Sequence, residues 1–152
     1  LELGLSRLDK LNQSSSGEKV ADLRKELQGI MQNHFGVFRK GDFMREGIQK
    51  LQAMRERIEN PHLQDKSNAF NTARIEALEL QNLFEVAEAT AIAAEGREES
   101  RGAHARDDFT ERDDDNWLCH SMFYPETKTL GKRKVNFAPK TVPTFEPMIR
   151  TY

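Results

Sequence analysis

At 152 residues the chain is long enough to bury one core of its own. Charged side chains make up 32% and hydrophobic ones 37%, with a mean hydropathy of −0.76, which fits a helical domain with solvated faces better than a thick α/β core. The net charge of −2 gives no general attraction to nucleic acid, and the single Cys119 excludes an internal disulfide and a thiolate metal cluster and fits a reducing compartment. No apolar run reaches the ~18 residues of a membrane span, and no signal-peptide pattern opens the chain. Leu1 is not Met, and LELGLSRL reads as the middle of an amphipathic helix, so the expectation is a piece of a longer protein.

Leu1, Leu5, Leu8 and Leu11 recur at helical spacing and predict a short first helix, ended by Asn12-Gln13-Ser14-Ser15-Ser16-Gly17. Ser15 and Glu18 have capping-box spacing, which places the next helix start there. Its stripe is Val20, Leu23, Leu27, Ile30, Met31 and His34. The break GVFRKG, Gly36 to Gly41, follows, with Phe35 and Phe38 as anchors for the turn. Asp42 is the expected N-cap of a third helix with Met44, Ile48, Leu51, Met54 and Ile58 inward and the pairs Glu46–Lys50 and Arg55–Glu59 outward. Asn60-Pro61 stops it. Asn71 or Thr72 caps the longest helix, whose apolar positions are read as Ile75, Leu78, Leu83, Val86, Ala87, Thr90, Ala91 and Ala94, to about Arg97. Its small-residue end, AEATAIAAEG, either packs closely on another surface or simply favours helix.

After Trp117 the pattern changes. Trp117 to Tyr124 and Lys132 to Phe137, around Glu126-Thr127-Lys128-Thr129, read as a β-hairpin, and Pro139, Pro143 and Pro147 make the ending extended. The fold class expected is all-α: an up-down three-helix, spectrin-like bundle over residues 1–100, with an additional short N-terminal helix. Residues 101–152 then form a docking loop, the hairpin and an extended tail.

The densest chemistry runs from Glu98 to His120. The glycines are scattered singly and none fits G-x-G-x-x-G, so no dinucleotide loop is present. Asp107, Asp108, Asp113, Asp114 and Asp115 fit no EF-hand spacing, and Arg106 and Arg112 beside them are the better partners. Cys119 and His120 are not a dyad, because strand neighbours point to opposite faces. His104 and His120 read first as hydrogen-bonded structural residues, His34 as a core-edge residue and His62 as a loop residue. Arg101 and Arg106 flank Gly102-Ala103-His104; guanidinium is the usual interdomain fastener, and Gly102 is expected in a left-handed or close-approach position. The candidate docking residues are Glu99, Ser100, Arg101, Gly102, His104, Arg106, Arg112, Asp113, Asp114, Trp117 and His120. No catalytic, cofactor-binding or metal-binding residue is assigned in this chain.

Glu99-Ser100-Arg101-Gly102-Ala103-His104, then Arg112-Asp113-Asp114 and Trp117-Leu118-Cys119-His120, closely resemble the C-terminal domain of succinate dehydrogenase flavoprotein subunits of bacterial type. Gly36-Val37-Phe38-Arg39, Asp65-Lys66-Ser67, Asn71-Thr72, Glu76-Ala77-Leu78-Glu79-Leu80, Asn82-Leu83 and Ile149-Arg150-Thr151-Tyr152 match as well, so the resemblance spans essentially the whole chain. Thr110 departs from the pattern, since many relatives carry Pro there, and it loosens the turn. Fumarate reductase flavoproteins and L-aspartate oxidase share a related ESRG-type segment. The resemblance implies a parent enzyme that oxidises succinate to fumarate, passing a hydride to covalently attached FAD and electrons through an iron–sulfur subunit to a membrane quinone. It implies that FAD is bound outside this chain, with no cofactor on the fragment. The implied partners are the FAD-binding domain of the same subunit, the iron–sulfur subunit and, indirectly, the membrane anchor subunits, with no nucleic acid. The implied location is peripheral, on the cytoplasmic face of the bacterial inner membrane. From another class, a free-standing spectrin-like helical adaptor would show the same periodicity but would not require the ESRGAH–RDD–WLCH block.

Overall fold

The computed structural model describes residues 2–148. Leu1 and the Ile149-Arg150-Thr151-Tyr152 ending lie outside the described residues. The chain is helix-rich: α1 (Glu2–Gln13), α2 (Val20–Phe35), α3 (Gly41–Glu59), α4 (Thr72–Gly96) and α5 (Asp114–Trp117) alternate with β1 (Phe38–Arg39), β2 (Ala105–Arg106), β3 (Cys119–Tyr124) and β4 (Thr129–Lys134).

Three long helices share one core. Leu23, Leu27 and Ile30 of α2 meet Met44, Leu51, Met54 and Ile58 of α3 and Leu80, Phe84, Ala87, Ala91 and Ala94 of α4. Each fully buried side chain of Leu or Phe size stabilises by roughly 1.5–3 kcal/mol. The directions follow from polar contacts along the seams. Arg57 pairs with Glu18 and Glu26 while the His34 ring bonds Phe43 O, so α3 runs back along α2. Arg45 reaches Glu95 while Arg55 reaches Glu85, so α4 runs back along α3. Arg24 touches Glu76 O and Glu79, which leaves α2 and α4 pointing the same way. α1 lies outside this core; only its Leu11 is buried, against Leu63 and Ala77, and Arg7 bonds Gln81 and Asn82.

The stripes read for α2 and α3 are the buried ones; of the stripe read for α4, Ala87, Ala91 and Ala94 are buried as read, but the larger side chains of its first half are turned away. Ile75, Leu83 and Val86 are 56%, 46% and 66% exposed, while Ala77, Leu80 and Phe84 face inward. The helix carries apolar residues on both sides, and the tertiary partners select one of them. Glu88 also sits on the inner side, only 4% exposed, bound by Arg55 and by Lys128 of the hairpin turn.

Two expected caps are replaced. Lys19, not Ser15, precedes α2, and its ammonium, a donor only, makes no side-chain cap; the Glu18 carboxylate is engaged bidentately by Arg57 at 2.6 and 2.7 Å. Asp42 pairs with Arg45, and the Gly41 N–H at the start of α3 instead donates to Asp108 Oδ2 at 2.9 Å. Asn71 caps α4 as expected, its Oδ1 accepting from the Arg74 N–H at 2.8 Å. Of the two turn anchors, Phe35 is buried and Phe38 is 79% exposed.

The sheets are small. β3 and β4 pair antiparallel from Cys119↔Lys134 to Tyr124↔Thr129, so the second strand starts earlier than expected and Trp117 belongs to α5. The hairpin lies on α4, where Leu130 approaches Gly96 so closely that a Cβ there would stand 2.5 Å from its Cδ1. β1 and β2 form a parallel pair, Phe38↔Ala105 and Arg39↔Arg106, which the sequence reading did not anticipate. No helix among the described residues is long and apolar enough to cross a membrane.

Candidate functional site

The segment after α4 is extended, so alternate side chains fall on one side. Arg97, Glu99 and Arg101 use that spacing. Glu99 is fully buried; Oε1 accepts from Arg97 Nε and Arg101 Nε, both at 2.8 Å, and Oε2 accepts from Arg101 Nη2 at 3.0 Å and from the Asp113 N–H at 2.9 Å. Burial alone pushes this carboxyl up, but bonds from Arg101, the Asp113 amide and Arg97 outweigh it and hold the group below the ordinary glutamate range. Four charge-assisted bonds on one buried carboxylate are what makes that burial tolerable.

The chain of ion pairs continues outward. Arg101 Nη2 donates to Asp114 Oδ1 and Arg112 Nη2 to Asp114 Oδ2, both at 2.7 Å, and Arg112 Nη1 fastens the tail through Met148 O at 2.8 Å. The Glu99 and Asp114 bonds raise Arg101 above the ordinary guanidinium range, the Glu99 bond being the stronger cause. Asp113 caps α5, accepting from the Asn116 N–H at 3.0 Å. Arg97 also donates to the carbonyls of Trp117 and Cys119, and the Arg97 guanidinium and the Lys132 ammonium both lie over the Trp117 ring.

Arg106, 3% exposed, forms the second node. Nη1 donates to the carbonyls of Glu95 at 2.8 Å and Ala94 at 3.2 Å, capping the end of α4, while Nε and Nη2 grip Asp108 at 2.7 and 2.9 Å. Asp108 in turn caps α3, so one ion pair joins the C-terminus of α4 to the N-terminus of α3, with the charge signs that the helix dipoles favour. The Arg106 bond, assisted by the Gly41 amide, holds the Asp108 carboxyl far below its usual range. Ser100 accepts from the Arg106 N–H at 2.8 Å and donates to Phe109 O at 2.8 Å, closing the loop on itself.

His104 bridges to the other strand. Its Nδ1 meets Arg39 Nη1 at 2.8 Å, which makes it the acceptor, and its Nε2 donates to Arg97 O at 3.1 Å. Burial lowers its pKa; the carbonyl bond opposes that, and the charges of Arg39, Arg106 and Arg97 lower it further. Arg101 and His104 exchange backbone bonds at 2.8 and 3.0 Å around Gly102, whose φ of +59° is the left-handed conformation expected of it.

The structure therefore brings Glu99, Ser100, Arg101, Gly102, His104, Arg106, Arg112, Asp113, Asp114 and Trp117 into one connected region. His120 stands apart, exposed on β3 opposite Arg133. The sequence reading left Arg97, Asp108 and Arg39 off its candidate docking residues, although it had named Arg106 as a partner for the Asp107-Asp108 carboxylates, the pairing that Arg106 and Asp108 make. Arg97 and Asp108 carried a usable signal, a charge two residues from an opposite charge on extended chain; Arg39 had none.

No three His, Cys, Asp or Glu side chains among the described residues converge as metal ligands would. The region does not fit a flavin either. The guanidiniums of residues 97, 101, 106 and 112 are each engaged by carboxylates or carbonyls of this chain, and the region has no glycine-rich loop to cradle a pyrophosphate. An open cleft of about 690 Å³ lies between the 100–105 loop, the 110–114 turn and the tail at Pro147 and Met148. A smaller one of about 340 Å³ lies by Arg7, Arg55 and Phe84, away from this region.

The family described as fumarate reductase flavoprotein C-term matches residues 24–152. The succinate dehydrogenase flavoprotein subunit of Coxiella burnetii is 43% identical over 99% of this chain, which corresponds to 25% of that protein, and the Rickettsia bellii subunit is 37% identical over the same shares. Among solved structures, E. coli quinol fumarate reductase FrdA superposes with a TM-score of 0.80 at 34% identity, covering 93% of this chain and 25% of that one. Mycobacterium smegmatis Sdh1 in complex with UQ1 gives a TM-score of 0.68 at 28% identity, covering 94% and 23%. The chain thus spans about a quarter of the length of the relatives it matches. It belongs to the C-terminal domain family of succinate dehydrogenase and fumarate reductase flavoproteins.

Proposed function

We propose that this chain is the C-terminal domain of the FAD-containing flavoprotein subunit of a succinate dehydrogenase. In that enzyme succinate is oxidised to fumarate and electrons pass through iron–sulfur centres to quinone. The observation that carries the reading is the 43% identity to a succinate dehydrogenase flavoprotein subunit over 99% of the chain. Residues 1–100 supply the spectrin-like three-helix bundle, and residues 101–152 supply the docking loop, hairpin and tail. The domain packs on the FAD-binding domain of the same subunit and is not catalytic alone. FAD, when bound elsewhere in the subunit, accepts the hydride; this chain's residues give the docking edge its shape. Glu99, Arg101, Arg112 and Asp114 fix the loop, Arg106 ties it to two helix ends, and Trp117 and the hairpin brace it. The wider partners are the iron–sulfur subunit and, through it, the membrane anchors, on the cytoplasmic face of the bacterial inner membrane.

The test is expression of the whole reading frame that contains this chain, beside the 152-residue chain alone. The whole product should carry flavin and reduce a dye with succinate, and the short chain should do neither. A yellow, active short chain would overturn the reading, as would a whole product that binds no flavin. A fumarate reductase is the second reading, favoured by the superposition on E. coli quinol fumarate reductase FrdA. The ratio of succinate oxidation to fumarate reduction in the whole complex separates the two.

A further inference from the structure

The charges of the 97–114 region bind one another, so the surface that this end of the bundle offers to a partner is of another kind. Between α2 and α3 the chain exposes Val37 at 72% and Phe38 at 79%, with Phe43 at 58% in the first turn of α3. Single exposed apolar side chains are ordinary, but two adjacent ones on a pinned backbone are not.

The backbone here is held from several sides. β1 is paired to β2, and the Asp107 N–H donates to Arg39 O at 2.8 Å. The Arg39 guanidinium binds Gly36 O at 3.1 Å and Phe35 O at 3.3 Å, and it meets His104 at 2.8 Å. A side chain presented on a fixed backbone loses little freedom on docking, which is the property of an anchor.

We infer that Phe38, with Val37 beside it, is the apolar anchor that inserts into a socket on the flavin-binding part of the same polypeptide. This rests on the reading under Proposed function. The relatives are about four times as long as this chain, and the matched family describes their C-terminal part, so most of the polypeptide precedes α1. α1 runs antiparallel to α4, with Leu11 on Ala77 and Arg7 on Gln81 and Asn82. Its Glu2 end therefore points toward the C-terminal end of α4, the end that carries Phe38. A polypeptide feeding α1 arrives on that side. One competing apolar surface, Leu83 and Val86 on the outer face of α4, is broken up by Asn82 and Glu85, which bond Arg7 and Arg55.

The experiment uses the full-length subunit with three variants: Phe38→Ser, Phe38→Leu and Val86→Ser. The readouts are the rate of limited proteolysis between the flavin-binding part and this domain, and flavin retained after gel filtration. With Phe38→Ser, cleavage should rise roughly tenfold or more, the range expected on losing an anchor, and flavin should be lost. Phe38→Leu, which keeps an apolar anchor, should restore most of both, and Val86→Ser should match the wild type. Unchanged cleavage in Phe38→Ser, in a subunit that still holds flavin, would overturn the anchor and leave the flavoprotein reading standing. Cleavage raised by Val86→Ser alone would move the anchor to the outer face of α4. A wild-type subunit without flavin would overturn both.

Discussion

The bundle core and the 97–114 lattice are held together by different physics. In the core, Leu23, Leu51, Met54 and Leu80 are at most 1% exposed and make non-directional contacts, so nearby swaps of similar volume are tolerated. In the lattice, Glu99 is equally buried but depends on four donors at fixed positions. The core is graded in its response to damage, whereas the lattice behaves as a unit, because removing one charge strands its partners.

The sharpest way to break this contrast is Glu99→Ala. It leaves the Arg97 and Arg101 side chains, 15% and 26% exposed, facing a vacated site, and it should cost about 3–5 kcal/mol in urea unfolding. Glu99→Gln keeps the acceptor geometry without the charge and should cost visibly less. Equal losses for the two would mean that the charge alone, with no share from side-chain volume or neutral acceptor geometry, holds the loop.

The core side is sharpened by Leu80→Ala and Leu83→Ala, neighbours on one helix. Leu80 is fully buried, and its loss should cost roughly 2–5 kcal/mol. Leu83 is 46% exposed, and its loss should stay within about 0.5 kcal/mol. Equal effects would mean that α4 is rotated from the position described.

That pair also shows what could be read from the sequence. α2 and α3 each carry one apolar stripe, and it is the buried one. α4 carries two, and choosing between them requires knowing that Glu88 is turned inward by Arg55 and Lys128, contacts from distant parts of the chain. The capping box at Ser15 and Glu18 failed for the same reason, since Arg57 of another helix takes the carboxylate. In the candidate site, the residue types and the left-handed Gly102 were legible, because alternating charge and a lone glycine carry local meaning. The parallel pairing of Phe38 with Ala105 was not legible: two-residue strands have no periodicity, and their partners are far apart in sequence.

A smaller effect tests whether the lattice reaches the bundle. Asp108→Asn keeps an acceptor for the Gly41 N–H but loses the charge that grips Arg106, and it should cost about 1–2 kcal/mol. Acid should act in the same direction. Glu99, Asp108 and Asp114 all titrate below their ordinary values in the folded chain. Their stabilisation is therefore fully present above the unfolded carboxylate values, about 4, and is lost as pH falls through the lower folded values. The carboxylate contribution to the urea midpoint should hold level down to about pH 5 and drop below about 4, with a shallower drop in Asp108→Asn.

The smallest effect belongs to His104, which joins the two regions. Burial and the surrounding arginines depress its pKa, so between that value and the unfolded value of about 6.5 the unfolded chain binds more protons. Its contribution is complete above pH ~6.5 and falls as pH drops, by at most about 1.4 kcal/mol per pH unit for one proton. His104→Gln offers an acceptor to Arg39 and a donor to Arg97 O without titrating, so it should flatten the stability slope just below pH ~6.5 while leaving the carboxylate drop near pH 4 in place. A slope identical to the wild type would mean that the Arg39–His104 contact survives protonation, which two facing cations in a half-buried site do not favour.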